Sequence, residues 1–186
     1  MKRQHSQLLI ATTLVALAAS ARIFNAGMNL HNFVPIAGIA LFSGAAIRQN
    51  RPLAILVPLL GQFLADVYFQ LFTSTPGFYS VTSQLFNYAA IGAAAGLGFL
   101  LKQPKVANVL GFTLGASFTF FLVSNMGYFL QGYNGYSFSG LMKTYVDAIP
   151  FYEHSFIADV VASPLMFGFY AIFKKQVSAH IANATA

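Results

Sequence analysis

Apolar runs of nearly membrane length fill most of this chain, and short polar turns between them carry most of its charge. Hydrophobic residues make up 57% of the sequence and charged residues 8%, against about 25% charged residues in soluble domains. A soluble fold could not hide that much apolar surface, so a lipid bilayer must be the solvent. The sequence therefore predicts an all-α integral membrane protein.

The chain length limits the number of spans. Its 186 residues hold about six spans of roughly 20 residues and leave no room for a soluble domain. We predict one transmembrane domain over residues 1–186 with six transmembrane helices. They cover residues 8–24, 30–47, 52–72, 84–101, 106–130 and 155–173.

The first apolar run allows two interpretations. A basic start precedes it, and Ala19-Ser20-Ala21 ends it in the manner of a secretory signal peptide with its cleavage site. Alternatively, the run is an uncleaved first helix with Arg22 at its outer end. We favour the uncleaved helix because Arg22 has acidic residues to pair with later in the chain. The mass of the mature protein distinguishes the two.

Basic residues lie in pairs at alternate helix ends. One side of the predicted bundle holds Lys2, Arg3, Arg48, Arg51, Lys102, Lys105, Lys174 and Lys175. The other side holds Lys143, with Arg22 at a helix end. This asymmetry predicts that both termini are cytoplasmic. Pairs at helix ends do not form one basic patch, so we expect no nucleic-acid partner.

The longest interval without a membrane-length apolar run lies between the last two predicted spans. Apolar positions there recur at helical spacing: Phe138, Leu141, Met142, Tyr145 and Ile149. The spacing predicts a short amphipathic helix on the outer surface, stopped by Pro150. The helix is either a lid over a pocket, hinged at nearby glycines, or an interfacial helix resting on lipid headgroups.

Three ionisable residues fall in the outer half of the bilayer: Arg22, Asp66 and Asp159. Charges at that depth are costly and usually face protein or water in mutual pairs. These three form either the polar floor of an outward-facing pocket or a structural ion pair that ties spans one, three and six together. In a pocket, Asn125 would supply hydrogen bonds, and the lid would be lined by Tyr133, Tyr136, Tyr145 and Tyr152.

Motifs for catalysis are missing from the sequence. The chain has no Cys, which excludes thiolate chemistry and Cys-metal sites. It also contains no Ser-His-Asp order, phosphate-binding glycine loop or His-x-x-x-His motif. His31 and His154 lack a fixed spacing to other ligands, so we interpret them as solvated loop residues. We expect no enzyme, no cofactor and no metal site.

Several segments resemble a family of uncharacterised bacterial six-span membrane proteins, over nearly the whole chain. They are Arg22, Asn32-Phe33-Val34-Pro35-Ile36-Ala37, Leu41-Phe42-Ser43-Gly44-Ala45, Asn125, Gly140-Leu141, Tyr145, Ala148-Ile149-Pro150-Phe151 and Phe167-Gly168. In size, span count and topology that family is similar to the substrate-binding S-components of energy-coupling-factor vitamin transporters. The resemblance implies a multi-pass protein of the bacterial inner membrane that holds a vitamin-sized ligand beneath its three outer loops.

Together these observations favour a substrate-binding or transport component for a small metabolite or vitamin at the outer face. Because the chain has no ATPase of its own, active uptake implies energising ATPase or coupling subunits as partners, besides the lipid bilayer and the small-molecule ligand. The alternative is a structural or assembly protein whose outer loop docks a partner protein, with no small-molecule ligand.

Overall fold

The computed structural model consists of helices, with no strand among the residues it describes, which are 2–27, 33–74, 77–78 and 80–184. Side chains are described within 9–25, 33–74, 77–78 and 80–175. The helices are α1 (Lys2–Gly27), α2 (Ile36–Ala46), α3 (Arg51–Phe72), α4 (Val81–Leu100), α5 (Val106–Phe129) and α6 (Phe138–Ala184). The prediction of an all-helical protein is confirmed.

By length and composition, three of the described helical segments can cross a membrane. They are Arg51–Phe72, Val106–Phe129 and Phe138–Lys175. Two shorter apolar helices cover Leu9–Asn25 and Ile36–Ala46. These helices are those of a membrane protein, as the composition predicts.

Helix α2 is shorter than the predicted span at 30–47 and lies at the centre of the fold. Pro35 is its N-cap residue, residues 33–35 are not helical, and residues 28–32 lie outside the described part of the chain. Every residue from Ile36 to Gly44 is buried. Its 11 residues rise about 16 Å, roughly half the thickness of a hydrocarbon core. Helix α2 alone therefore does not reach across a bilayer.

Small residues let α2 and α4 approach each other closely. A Cβ on Gly98 would collide with the backbone carbonyl of Leu41, and one on Gly44 with that of Ala95. A Cβ on Gly92 or Gly96, farther along α4, would meet nothing within 4 Å. The close contact is therefore made at the end of α4 that lies beside the C-terminal half of α2.

Helix α1 packs along α3. Its residues Ala11, Leu14 and Ala18 are buried, and a Cβ on Gly61 of α3 would collide with that of Ala18. The predicted first span therefore lies within a longer helix that contributes to the core.

The turns after α2 and α4 lie side by side at one end of the bundle. The Arg51 guanidinium lies over the Phe99 ring, 5.6 Å from its centroid. Arg48, Lys102 and Lys105 belong to the same two turns. This end of the bundle is therefore basic, and the C-terminal ends of α3 and α5 point away from it.

Helix α6 contradicts one prediction, because Pro150 does not end it. The helix runs through Pro150 and Pro164 without a break in its assignment. Tyr145 and Tyr152, on either side of Pro150, both pack against the Phe121 ring of α5, at centroid distances of 5.6 and 4.5 Å. Packing along α5 therefore holds the helix together where a proline would end an isolated one. The amphipathic segment is the first part of α6 rather than a separate surface helix.

Candidate functional site

A cavity of about 580 Å³ lies at the end of the bundle opposite the basic turns. All six helices, the segment before α2 and the loop between α5 and α6 supply its walls. The lining residues are Arg22, Val34, Ile36, Gln62, Asn87, Phe120, Phe121, Ser124, Asn125, Tyr128, Asn134, Thr144, Asp147, Ala148, Phe151, Tyr152 and Ser155. Polar residues thus meet an aromatic wall, built mainly by α5 and α6, in one concave site.

An ion pair between α1 and α3 stands at one wall of this cavity. Arg22 Nη1 donates to Asp66 Oδ1 and, at 3.4 Å, to the backbone carbonyl of Gln62. The Asp66 side chain is fully buried, whereas that of Arg22 is 21% exposed and lines the cavity. The guanidinium also lies 5.4 Å from the centroid of the Phe69 ring. The predicted contact between spans one and three therefore forms, with the arginine on the cavity side.

Three neutral donors complete the environment of the Asp66 carboxylate. Gln84 Nε2 and, at 3.3 Å, the Tyr88 hydroxyl donate to Oδ2, while Gln62 Nε2 donates to Oδ1 at 3.4 Å. None of these three residues is among the predicted site residues. One signal was present: Gln62 precedes Asp66 by one turn and Gln84 precedes Tyr88 by one turn, so each pair shares a helix face. Asp66 is thus fully hydrogen-bonded while it balances the charge of Arg22.

Asp159 lies apart from this pair, whereas both interpretations of the sequence group it with Arg22 and Asp66. Its Oδ1 accepts from the Gly38 backbone N–H at 2.8 Å, and Ser117 contributes a side-chain hydrogen bond. The residue is 1% exposed and does not line the cavity. A carboxylate at this place satisfies an amide in the first turn of α2 and complements the helix dipole. Asp159 therefore stabilises the start of α2.

The four tyrosines predicted for the lid have separate positions. Tyr152 lines the cavity. Tyr145 packs on α5 instead, and its hydroxyl donates to the Leu122 carbonyl at 2.7 Å. Tyr133 and Tyr136 lie outside the lining, 67% and 71% exposed. Of the predicted lid tyrosines, the described structure thus brings Tyr152 to the cavity.

The loop between α5 and α6 folds back over the start of α6. Gly132 and Gly135 adopt φ angles of 77° and 76°, a region that favours glycine and that a tight turn requires. Asn134 Nδ2 donates to Thr144 Oγ1 at 3.1 Å. Both of these side chains line the cavity, so the loop forms part of its wall.

Several polar groups in the cavity have no hydrogen-bond partner among the described residues. The half-buried side chain of Asn87 makes none, and Arg22 uses Nη1 alone. Asn125 Nδ2 donates to the Phe121 carbonyl at 2.8 Å, which leaves its Oδ1 unused. Such groups must be met by water or by a ligand, because leaving a desolvated amide unpaired is costly. Asn87 is a candidate binding residue that the sequence analysis did not identify.

Asn87 could have been noticed as an amide inside an otherwise apolar run. Its side chain direction, however, depends on which face of α4 packs against α2 and α5, and the sequence does not show that face.

The described residues contain no group of three His, Cys, Asp or Glu that could hold a metal ion. His31 lies outside the described residues.

Comparison with known proteins places the chain in a family. No curated protein and no solved structure matches it. One protein family does match, and the match extends over residues 2–181. This protein therefore belongs to DUF6580, a family of unknown function.

Proposed function

We propose that this protein binds a small metabolite from outside the cell, as the substrate-binding or transport component of an uptake system in the bacterial inner membrane. One observation carries the proposal. Arg22, Asn87 and Asn125 expose unused hydrogen-bonding groups to the same cavity. A volume of about 580 Å³ is within the range of small-molecule sites, which are usually apolar with a few convergent polar groups.

The distribution of charge supports an outward-facing cavity. Arg48, Arg51, Lys102 and Lys105 lie in turns at the opposite end of the bundle from the cavity. Positive turns favour the cytoplasmic side, so the cavity end faces outward. We accordingly propose six spans with both termini inside. Helices α1 and α4, and α2 together with the non-helical segment before it, complete the three helical segments that meet the length and composition of a span.

The proposal also includes partners. The chain carries no nucleotide-binding motif, so uptake against a gradient needs energising ATPase or coupling subunits, as the similarity to S-components implies. Binding itself does not need them. The purified protein should therefore bind its ligand alone.

The proposal is tested by ligand binding to the purified protein in lipid nanodiscs. A thermal-shift screen of vitamins, cofactors and their precursors selects candidates, and titration calorimetry then measures affinity. We expect at least one saturable ligand, and an affinity loss of roughly fivefold to tenfold in Asn87→Ala, the effect of about one neutral hydrogen bond. Asn108→Ala is the matched control, because Asn108 lies at the basic end and donates to the Gln103 carbonyl. A screen without any hit contradicts the proposal.

A second candidate function rests on a different surface. Tyr133, Tyr136 and Phe138 are 67%, 71% and 77% exposed around the loop between α5 and α6. Exposed aromatic side chains of this kind are enriched at protein interfaces as well as at membrane surfaces. A structural or assembly protein would dock its partner there and leave the cavity unused. Photo-crosslinking from position 136 in cells distinguishes the two, because docking predicts a discrete protein adduct and metabolite binding does not.

A further inference from the structure

We infer that the ligand of this cavity is an uncharged planar molecule that presents a carbonyl oxygen beside an N–H donor, as a ring lactam or a ring carboxamide does. The inference rests on the proposed binding function and specifies its substrate class. Three properties of the cavity lead to it: the balance of its charges, the donors and acceptors left unused, and the side chains of its wall.

The first property is charge balance, because both charged residues of the lining already have a counter-charge. Arg22 is paired with the fully buried Asp66. Asp147 accepts from Lys143 Nζ at 3.0 and 2.7 Å. A cationic ligand thus finds no unpaired carboxylate in the lining. A ligand carboxylate on Arg22 would bring a second negative charge close to Asp66, at a depth where water screens little.

The Asp66 carboxylate cannot move away from Arg22 when such an anion binds. Gln62, Gln84 and Tyr88 hold it from α3 and α4, so it stays beside the guanidinium whatever binds in the cavity. The guanidinium and its carboxylate together are neutral. A neutral oxygen acceptor on the ligand preserves that balance.

The second property is the pattern of unused donors and acceptors. Arg22 retains the N–H groups of Nε and Nη2, which donate only. Asn87 offers both an amide N–H pair and a carbonyl oxygen, and Asn125 offers its Oδ1. A ligand that satisfies these groups must accept and donate at once. A ligand with adjacent C=O and N–H groups does both in one plane. Its C=O accepts from a side-chain amide N–H while its N–H donates to the oxygen of the same amide.

The third property is the aromatic wall. Phe120, Phe121, Phe151 and Tyr152 all line the cavity. Phe121 and Tyr152 lie with ring centroids 4.5 Å apart and their planes 33° apart, so they form one continuous packed surface. Aromatic surfaces bind flat π-systems by stacking or edge contact. The ligand is therefore planar where it meets this wall.

The test uses matched pairs of compounds that share a ring and differ by a carboxylate. The pairs are pterin and pterin-6-carboxylate, uracil and orotate, and nicotinamide and nicotinate. Titration calorimetry is run on the full-length wild-type protein in nanodiscs. We expect saturable binding of the uncharged member of at least one pair, with its carboxylate partner weaker by about tenfold or more.

A charge variant tests the physical reason for that preference. Asp66→Asn removes the counter-charge of Arg22 while it keeps the size of the side chain. We expect this variant to bind the carboxylate member of the pair at least as tightly as the neutral one. Glu153→Gln is the control and should keep the wild-type order, since Glu153 is exposed and does not line the cavity. The wild-type comparison decides the question even if Asp66→Asn does not fold.

The possible results distinguish a wrong ligand class from a wrong proposed function. If a carboxylate member binds wild-type protein as tightly as its neutral partner, the uncharged class is overturned while binding stands. If all six compounds fail but the broad vitamin screen yields a charged or non-planar ligand, the class is again overturned. If the broad screen also yields nothing, the proposed function is overturned.

Discussion

Replacing Asp66 by alanine should destabilise the protein far more than replacing an acidic residue on its surface. The substitution leaves the Arg22 guanidinium without its counter-charge and removes the acceptor of Gln84 and Tyr88. Breaking a buried ion pair by removing one partner costs about 3–5 kcal/mol. Although the Arg22 side chain left behind is 21% exposed, Gln84 and Tyr88 also lose a buried acceptor, so we take the same range for the combined loss. We expect the free energy of unfolding to fall by about that amount.

Replacing Arg22 should lower the free energy of unfolding less than replacing Asp66. Arg22→Ala leaves Asp66 with its three neutral donors, and the Arg22 side chain is 21% exposed. We expect a loss of about 1–3 kcal/mol, in the range for one charge-assisted hydrogen bond. The double variant Arg22→Met with Asp66→Leu removes both charges. It should be more stable than Asp66→Ala alone, because no buried charge is left unpaired.

The measurement is unfolding by SDS in mixed micelles, followed by far-UV circular dichroism, since the chain has no Trp to report by fluorescence. Asp147→Ala is the matched control. Its pair with Lys143 is half-exposed and spans one helical turn, and such pairs contribute about 0.5 kcal/mol or less. The reasoning is refuted if Asp66→Ala falls within 1 kcal/mol of the control, on the order of the spread of surface substitutions. It is also refuted if the double variant loses the sum of the two single losses.

Three further predictions test the packing and the topology. Gly98→Ala should destabilise by about 1–3 kcal/mol because its new methyl group meets a backbone carbonyl of α2, whereas Gly96→Ala, in open space on the same helix, should be neutral in the same SDS assay. Tyr145→Phe loses the hydrogen bond to α5 and should cost about 1 kcal/mol, with faster hydrogen exchange in the first turns of α6 and not in the rest of that helix. The natural chain has no Cys, so single-cysteine variants report topology: a membrane-impermeant maleimide added to intact spheroplasts should label Ser139→Cys and not Gln103→Cys, and the reverse pattern contradicts the proposed orientation.

Composition and spacing were sufficient to predict the helical membrane fold and the contact between Arg22 and Asp66. Both follow from costs that the bilayer imposes on any sequence: apolar runs must be helical, and a charge at depth must find a partner. The glycine turn at 132–135 was also predictable, because Asn134-Gly135 has a strong local preference. These features depend on local chemistry or on depth alone.

The features that sequence reasoning missed depend on rotation about the helix axis and on packing. Counting residues from a helix end gives the depth of a residue in the bilayer but not the helix face on which it lies. Depth alone therefore groups Asp159 with Arg22, although Asp159 faces α2. Asn87 was overlooked for the same reason. A rule for isolated helices predicts a helix end at Pro150, and the aromatic contacts of Tyr145 and Tyr152 with α5 override that rule.

The position of Asp159 has a single structural cause, which also connects it to the cavity. Because α2 begins only after Pro35, its first amide groups lie inside the protein and need an acceptor there. Asp159 of α6 supplies that acceptor, and it fixes the first turn of α2 against α6. Val34 and Ile36, at this junction, line the cavity. One membrane carboxylate therefore balances a cavity arginine, while the other positions the helix start that forms part of the cavity wall.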